Sequence, residues 1–219
     1  MRWCTDEELA SLLKLPDGYS IERLDRAGVP GLMLSLRKWY PDISVGSGSA
    51  YLSQTFYDSR VALHDEADKD IAVWVFRHSG AMVGMFSSER IEQSKALYGR
   101  LWVFSPEHRN SGIATSFALS VRERARLQGA EYVYGNATLK HVASQHLLEK
   151  LGYQLIGITP GADRELAPDG SVKRVYEAVY ALNLASESAT ARPDPANLTP
   201  RTRALFDFLF AQVDDTNAA

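Results

Sequence analysis

One segment organises the rest of the sequence: Phe104-Ser105-Pro106-Glu107-His108-Arg109-Asn110-Ser111-Gly112-Ile113-Ala114-Thr115-Ser116. The apolar and aromatic residues up to Phe104 predict a strand, and the residues from Ile113 onward predict a helix. The first N–H groups of a helix have no partner within it, and the helix dipole adds partial positive charge there. Gly112 lets backbone approach an anion closely, and Arg109 adds a permanent charge. The segment therefore predicts an anion site between a strand and a helix.

Length and composition restrict the class of protein. The chain has 219 residues, of which 45% are hydrophobic, enough for a domain with a buried core. A formal net charge of −3 gives no support for binding to nucleic acid or to an anionic membrane. Apolar runs are too short to span a membrane, so we expect no membrane anchor. The only histidine pair near a metal-ligand spacing, His141 and His146, does not stack on one helix face, so we expect no metal. The single cysteine, Cys4, suggests a reducing, cytoplasmic setting.

Residue periodicity and turn signals predict the other elements. A capping box formed by Thr5 and Glu8 opens the first helix. The interpretation in chain order is helix 5–13, strand 19–24, helices 25–40 and 51–63, strands 71–77, 82–91 and 97–104, helix 113–128, strand 130–136, helix 141–151, and strands 153–158 and 173–182. Polar loops are expected at 46–49 and 159–170.

The C-terminal part has a different composition. Residues 185–197 are rich in Ser, Ala, Thr and Pro, which is typical of a linker. Thr199 and Pro200 then open a helix with an apolar stripe, Phe206, Leu209, Phe210 and Val213. We therefore divide the chain into a domain at 1–183, a linker at 184–198, and an amphipathic helix with a tail at 199–219. The stripe needs a surface in the same chain or in a second copy, and we favour a homodimer.

The order of elements resembles the GNAT superfamily of acyl-coenzyme A-dependent N-acyltransferases over roughly residues 19–182. Two motifs carry the resemblance. Arg109-Asn110-Ser111-Gly112-Ile113-Ala114 resembles the family's Arg/Gln-x-x-Gly-x-Gly/Ala loop, and Leu147-Leu148-Glu149-Lys150-Leu151-Gly152-Tyr153 resembles its helix ending in Glu-Lys-Leu-Gly-Phe/Tyr. The sequence has neither a P-loop nor a G-x-G-x-x-G motif. The resemblance implies an α+β (mixed α/β) fold with a central, mostly antiparallel, splayed sheet flanked by helices.

The resemblance also implies a coenzyme site. Acetyl-CoA, the acyl-donor co-substrate, would lie between the strands at 97–104 and 130–136. Backbone groups near Val103 and Phe104 would pair with the pantetheine arm, and backbone N–H groups of the loop would hold the pyrophosphate. The implied coenzyme-binding residues are Val103, Phe104, Arg109, Asn110, Ser111, Gly112, Ile113, Ala114, Thr115, His141 and Ser144.

The residues for proton transfer depart from the family pattern. Leu148 stands where many members have a tyrosine acid, and Tyr98 and Asn136 stand where glutamate bases occur. His141 replaces an asparagine. Three alternatives remain open: Tyr98 or Tyr134 acts through ordered water, His141 takes part in proton transfer or coenzyme contact, or catalysis depends mainly on positioning. A purely structural role for each of these residues is a further alternative.

The sequence thus favours an N-acetyltransferase that moves an acetyl group from acetyl-CoA to a primary amine of a small molecule, by direct transfer in a ternary complex. The acceptor would be selected by the first two long helices and the polar loops, of which the second contains Asp163, Arg164, Glu165 and Asp169. Alternatives are acetylation of a protein amine, a non-catalytic acyl-CoA sensor or scaffold of the same fold, and a plain α/β domain without coenzyme.

Overall fold

The computed structural model describes residues 1–140 and 142–210. Two residues named in the predictions, His141 and Val213, lie outside the described residues. The chain divides into one compact unit at Met1–Leu184 and a second that starts at Ala185. We describe the two units separately.

The first unit is a mixed α+β structure. Its helices are α1 (Asp6–Leu12), α2 (Val29–Trp39), α3 (Gln54–Arg60), α4 (Ile113–Leu119), α5 (Val121–Leu127) and α6 (Ala143–Lys150). Its strands are β1 (Tyr19–Arg23), β2 (Val61–Ala62), β3 (Ile71–His78), β4 (Ala81–Ile91), β5 (Ala96–Phe104), β6 (Tyr132–Thr138), β7 (Gln154–Leu166) and β8 (Val172–Asn183). They form one sheet in the order β1-β3-β4-β5-β6-β8-β7, in which β2 also pairs with β3.

Two hydrophobic cores cover the two faces of the sheet. Alternating residues of β3 supply both, since Trp74 and Phe76 pack with Phe117 of α4, whereas Val73 and Val75 pack with α2. All of these side chains are buried, as the continuous apolar run in β3 predicts. Each buried side chain of this size stabilises the fold by roughly 1.5–3 kcal/mol. Packed side chains therefore cover both faces of the sheet in this region.

The sheet splays at its centre. β5 and β6 are parallel neighbours, but their pairing extends only from Ala96 opposite Tyr132 to Gly99 opposite Gly135. Beyond this point β6 continues alongside β8, and β5 continues alongside β4. A Cβ atom on Gly135 would lie 3.2 Å from the Gly99 carbonyl oxygen, so glycine permits the close approach at the junction. The predicted α+β class with a splayed sheet is confirmed.

A β-bulge lies on β5 just where the strands part. Ser88 of β4 is opposite Gly99, whereas Ser87 is opposite Leu101, so Arg100 is the extra residue. A bulge bends its strand and leaves backbone groups unpaired. The bulge therefore directs β5 away from β6 and exposes its edge.

The predicted helix at 113–128 is wrong in one respect, because it is interrupted at Ser120 between α4 and α5. The Ser120 hydroxyl donates to the Phe117 carbonyl at 2.8 Å and accepts from Arg124 Nε at 2.9 Å. Serine side chains that bond to the backbone in this way compete with regular helical bonds. The interruption follows from this local competition.

The predicted polar loop at 159–170 is also wrong over most of its length. β7 continues to Leu166 and pairs with β8, with register shifts near Gly157 and between Pro160 and Asp163. These irregularities allow a proline- and glycine-containing segment to remain in a strand at the sheet edge. The loop that remains is the short turn before Val172.

The capping predictions at both ends of the chain are confirmed. The Thr5 side chain accepts from the Glu8 N–H at 3.2 Å, and Glu8 accepts from the Thr5 N–H at 2.9 Å. In the second unit, α7 (Pro200–Phe210) follows Thr199, whose Oγ1 accepts from the Thr202 N–H at 3.2 Å. Both helices therefore begin with a side chain that satisfies a free N–H group.

Candidate functional site

A cavity of about 530 Å³ lies at the gap between β5 and β6. Its lining comes from both faces of the sheet, so the cavity connects them. Lining residues on the α4–α5 face are Phe86, Leu97, Trp102, Phe117, Ala118, Val121, Arg124, Ala125, Gln128, Val133, Leu147, Leu148, Leu151 and Tyr153. The opposite face contributes Tyr40, Asp42, Ile43, Val45, Ser47, Gly48, Arg100, Tyr134, Asn136, Asp163, Arg164, Glu165 and Glu177.

The turn before α4 has the geometry of an anion site. Gly112 has a φ of 87° and Asn110 a φ of 62°, both in the left-handed region. The first α-helical bond runs from the Ser116 N–H to the Gly112 carbonyl at 2.9 Å. The N–H groups of Ile113, Ala114 and Thr115 therefore have no acceptor within the helix and are available to a ligand. Ser111 Oγ donates to the His108 carbonyl at 2.8 Å, which fixes the turn.

Arg109 has a different environment from the one its motif suggests. Its Nε donates to the Phe104 carbonyl and its Nη2 to the Trp39 carbonyl, both at 3.3 Å. The guanidinium carbon lies 5.0 Å from the ring centroid of Tyr40. The side chain thus links the ends of β5 and α2, while its charge has no carboxylate partner in an ion pair among the described residues.

The predicted coenzyme residues fall into two groups. Val103 and Ser144 line the cavity. Phe104 and the turn at 109–115 are not part of the lining, but the turn leads directly into α4, whose Phe117 and Ala118 line the cavity. Ser144 Oγ and Trp102 Nε1 are buried atoms with no hydrogen-bond partner among the described residues. These unsatisfied groups, together with the left-handed Gly112, fit a long ligand that runs from the turn into the cavity.

The two predicted catalytic tyrosines are in contact with each other. The rings of Tyr98 and Tyr134 are stacked with centroids 5.0 Å apart, and Tyr134 lines the cavity whereas Tyr98 does not. Burial raises the pKa of both phenols. Both hydroxyls are therefore protonated at neutral pH, so they are suited to donate a proton rather than to accept one.

Glu177 of β8 was missed by the sequence predictions. It is half-buried, lines the cavity, and accepts a hydrogen bond from Asn136 Nδ2 at 2.8 Å. Burial raises the pKa of this carboxyl group, and the nearby Asp163 and Glu165 raise it further. It makes no ion pair with a described residue. The contact joins residues 41 positions apart, so no local sequence signal could have found it.

The cavity wall on the α2 side is assembled by contacts between distant segments. Asp163 accepts from the Ser47 N–H at 2.8 Å and from Ser47 Oγ at 2.7 Å. These bonds tie the short 3-10 turn at Ser47–Leu52, which begins in the predicted loop at 46–49, to β7. The wall therefore combines the segment after α2 with β7, in partial agreement with the predicted acceptor region.

Two cations on this wall, Arg100 and Lys140, lie beside carboxylates, whereas Arg164 forms no ion pair with a described residue. Arg100 Nη1 donates to Glu89 at 2.5 Å and Arg100 Nε to the Tyr51 hydroxyl at 3.2 Å. Lys140 forms an ion pair with Glu165. Glu177 and Asp163 also form no ion pair with a described residue, and these two carboxylates outnumber the unpaired Arg164, which favours a cationic ligand on this side.

Comparison with known families identifies the domain. A sequence model described as an acetyltransferase (GNAT) domain matches residues 33–154. The chain belongs to the GNAT acetyltransferase family. The predicted resemblance is confirmed, and N-acyltransferase activity is the activity that the family supports. A search of curated proteins by sequence finds no significant match.

Solved GNAT structures share the fold of this chain at low sequence identity. The ribosomal-protein-S18-alanine N-acetyltransferase from Escherichia coli is 12% identical with a TM-score of 0.60, and the match covers 80% of this chain and 99% of that chain. A dodecameric spermidine N-acetyltransferase from Vibrio cholerae is 13% identical with a TM-score of 0.59, covering 77% and 95%. One acts on a protein amine and the other on a polyamine, so the shared fold leaves the acceptor open.

Two further observations concern membrane-spanning helices and metal ligands. In residues 1–140 and 142–210, no helix is long and apolar enough to cross a membrane. No group of three or more His, Cys, Asp or Glu in the same ranges could hold a metal ion.

Proposed function

We propose that this GNAT protein is an N-acetyltransferase that transfers the acetyl group of acetyl-CoA directly to a primary amine of a small molecule. The observation that carries the proposal is the cavity at the gap between β5 and β6, which opens on both faces of the sheet. Two substrates that react directly must reach one point together, and a passage through the sheet allows each to enter from its own face.

The coenzyme would enter from the face of α4 and α6. Its pyrophosphate would bind the backbone N–H groups from Arg109 to Thr115, where the helix start provides partial positive charge. Its pantetheine arm would follow the edge of β5 that has parted from β6, at Val103 and Phe104, with Ser144 donating to it. His141 belongs to this proposed set on sequence alone. The bound thioester supplies the acyl group, and the exposed backbone at the Arg100 bulge would polarise its carbonyl.

Glu177 is our proposed general base. An amine reaches the site mostly as an ammonium ion and must lose a proton before it can attack a thioester. Glu177 lines the cavity, carries no ion-pair partner among the described residues, and has a raised pKa because it is buried. A raised pKa makes its carboxylate a stronger base than an exposed glutamate. Asn136 would hold this carboxylate through its 2.8 Å hydrogen bond.

Tyr134 is our proposed proton donor to the leaving thiolate, with Tyr98 as the residue that positions it. Tyr134 lines the cavity, and burial keeps its phenol protonated. The stacked ring of Tyr98 restricts the rotation of Tyr134. Leu148, which also lines the cavity, has no proton to give.

A mixed panel of amines tests the proposal. Purified protein is supplied with acetyl-CoA and with amino acids, polyamines, aminoglycosides and peptides, while thiol release and acetylated products are measured. The proposal predicts release of thiol in a one-to-one ratio with an acetylated small amine. Product found only on peptides would replace the small-molecule acceptor with a protein amine.

A non-catalytic acyl-CoA sensor is the second candidate, and the leucine at position 148 favours it. Calorimetry separates the two functions, because the sensor would bind acetyl-CoA tightly and release no thiol with any amine. The proposed enzyme binds acetyl-CoA and consumes it when the right amine is present.

We further propose that residues 1–183 form the acyltransferase domain and that the helix after the linker at 184–198 joins two copies of the chain. The apolar side chains of α7 support this proposal, since Phe206 and Phe210 lie one turn apart with ring centroids at 5.0 Å. Deleting residues 185–219 should convert a dimer to a monomer in light scattering. A truncated protein with the mass per particle of a dimer would contradict this role.

A further inference from the structure

Two arginines of the first unit are equally buried but differ in their surroundings. Arg90 and Arg124 are each 6% exposed. Arg90 lies within ion-pair distance of Asp68, Asp70 and Glu92, at 2.9, 3.9 and 3.8 Å. Arg124 forms no ion pair with any described residue. A buried charge without a counter-charge is unfavourable, so the environment of Arg124 is incomplete as it stands.

Few of the donors of Arg124 are used. Its Nε donates to Ser120 Oγ at 2.9 Å and its Nη2 to the Phe117 carbonyl at 3.3 Å. The guanidinium carbon lies 3.7 Å from the ring centroid of Phe117 and 5.5 Å from that of Phe86. Burial lowers the pKa of Arg124 to about 10, so the group is still charged at neutral pH. A guanidinium has more N–H groups than these two contacts occupy.

Arg124 lines the same cavity that we assign to the acyl donor. On this face the cavity continues beside Leu97 and Val133, which belong to the part of β5 and β6 where the strands are paired. The space therefore extends past the gap itself. Trp102 Nε1, a second buried donor without a partner among the described residues, belongs to a residue that also lines the cavity, and its ring contacts Phe86 and Phe117, the two rings that Arg124 contacts.

An acetyl group would leave both of these donors without an acceptor. A donor whose acyl chain ends in a carboxylate would reach past the gap and present two oxygens, which match the planar guanidinium and the indole N–H. Aromatic rings around the guanidinium exclude water and so strengthen this interaction.

We infer that Arg124 binds the terminal carboxylate of the acyl group, so that the preferred donor is the coenzyme A thioester of a short dicarboxylic acid of the malonyl or succinyl class. The inference rests on the proposed function for the cavity, the direct transfer and the amine acceptor, and it replaces the acetyl group by a longer acyl group. The bond between the carbonyl carbon and sulfur breaks as the bond to the amine nitrogen forms. Glu177 takes the proton that the ammonium ion loses before attack, and Tyr134 gives its proton to the thiolate. The second nitrogen proton, lost as the amide forms, restores the Tyr134 phenol, and the terminal carboxylate is unchanged.

Calorimetric binding of three thioesters tests this inference without knowledge of the acceptor. Succinyl-CoA and butyryl-CoA have acyl chains of the same carbon number and differ in the terminal carboxylate, and acetyl-CoA reports the coenzyme contacts alone. We expect wild-type protein to bind succinyl-CoA about tenfold more tightly than butyryl-CoA, since a hydrogen bond to a charged group is worth about that factor. Arg124→Met should bring this ratio close to one and change acetyl-CoA affinity less than about twofold.

Two variants serve as controls. Arg126→Met removes the same charge from the exposed side of α5 and should leave the ratio as in wild type. Arg124→Lys retains the charge and should retain part of the preference. Circular dichroism and thermal unfolding verify that each variant is folded, and only folded variants enter the comparison.

The possible outcomes are distinct. Equal binding of succinyl-CoA and butyryl-CoA by wild type overturns the inference, while acetyl-CoA binding and turnover in the same samples leave the proposed function intact. An equal loss for all three thioesters in Arg124→Met would assign Arg124 to the pantetheine arm, and it would also overturn the inference. Failure of wild type to bind any thioester would remove the proposed function together with the inference.

Discussion

The two sides of the cavity through the sheet differ in charge. On the side of α2 and β7 the lining carries charges of both signs with one more carboxylate than cations: Asp42, Asp163, Glu165 and Glu177 against Arg100, Lys140 and Arg164. On the side of α4 and α5 it consists mainly of apolar and aromatic side chains, with Arg124 as the charged member of that lining among the described residues. A cationic amine and an anionic coenzyme thioester would therefore each meet complementary charge on their own side.

This difference arises from the alternation of side chains along the central strands. On β5, Leu97 and Trp102 face α4 and α5, whereas Arg100, at the bulge, contacts Tyr51 on the α2 side. Each strand thus supplies both sides of the cavity with different chemistry. If the two substrates bind as proposed, the sheet separates donor from acceptor, and substitutions on its two sides should affect different steps.

The largest effect on donor binding is expected from Gly112→Asp. This change places a side chain at a φ of 87° and a negative charge beside the proposed pyrophosphate site. Acetyl-CoA affinity should fall at least about 100-fold, or roughly 2.7 kcal/mol, in calorimetry. Gly170→Asp is the matched control, because Gly170 has a φ of 80° and lies in the turn between β7 and β8. Equal losses in both variants would trace the effect to backbone strain.

On the opposite side, Glu177→Gln should lower kcat about 10²- to 10⁴-fold, the range associated with loss of a general base. Binding of acetyl-CoA should be unchanged, since the carboxyl group would act on the acceptor. Glu165→Gln, which alters another cavity carboxylate that is ion-paired with Lys140, should lower kcat far less. Comparable losses in the two variants would remove Glu177 from the role of base.

The pH dependence of activity follows from the same group. Because burial raises the pKa of Glu177, the carboxylate form needed for proton removal appears at a higher pH than for an exposed glutamate. In wild type, kcat/KM should rise with pH through this raised pKa. The residual activity of Glu177→Gln should lack that rise, and a profile of unchanged shape in the variant would contradict the assignment.

Glu177 should also affect stability in a pH-dependent manner. A carboxyl group with a pKa raised by folding stabilises the fold below its unfolded pKa, and this contribution is lost as pH rises through the folded pKa. Glu177→Gln should therefore gain stability relative to wild type as pH increases from acid to neutral. Urea unfolding at several pH values measures the difference, and a constant difference across pH would contradict the prediction.

A smaller effect, on the free energy of unfolding, is expected when each of the two buried arginines is replaced. Arg90→Met removes the partner of the Met1 carbonyl and of the Asp68 and Asp70 carboxylates, and it should reduce the free energy of unfolding by roughly 1–3 kcal/mol. Arg124→Met leaves no carboxylate of the described chain unpaired, so its loss should be smaller. Urea unfolding at pH 7 compares them. A larger loss for Arg124→Met would make that arginine a structural residue.

The sequence predicted well those features that depend on local chemistry. The capping box at Thr5, the turn at Gly112 and the buried strand at Val73 to Phe76 all rest on neighbouring residues, and their conformations follow from those residues. The family motifs then predicted a splayed sheet. The structure confirms it, since the pairing of β5 with β6 ends at Gly99 and Gly135.

Features that depend on distant contacts could not be predicted in this way. Glu177 becomes notable only because Asn136, on another strand, lies beside it. The strand at Thr159–Leu166 exists because β8 pairs with it despite its proline and glycine residues. The role inferred for Arg124 depends on the absence of a carboxylate beside it among the described residues. The sequence alone does not show which side chains surround a residue in the folded protein.

Hydrogen–deuterium exchange with and without acetyl-CoA tests the location of the donor most directly, because it requires no acceptor. We predict slower exchange on ligand addition at the turn from Arg109 to Thr115 and along the β5 edge from Arg100 to Phe104, with little change in β1 and β2. Bound acetyl-CoA that leaves exchange in both segments unaltered, or protects a different surface, would contradict a donor site in the gap between β5 and β6.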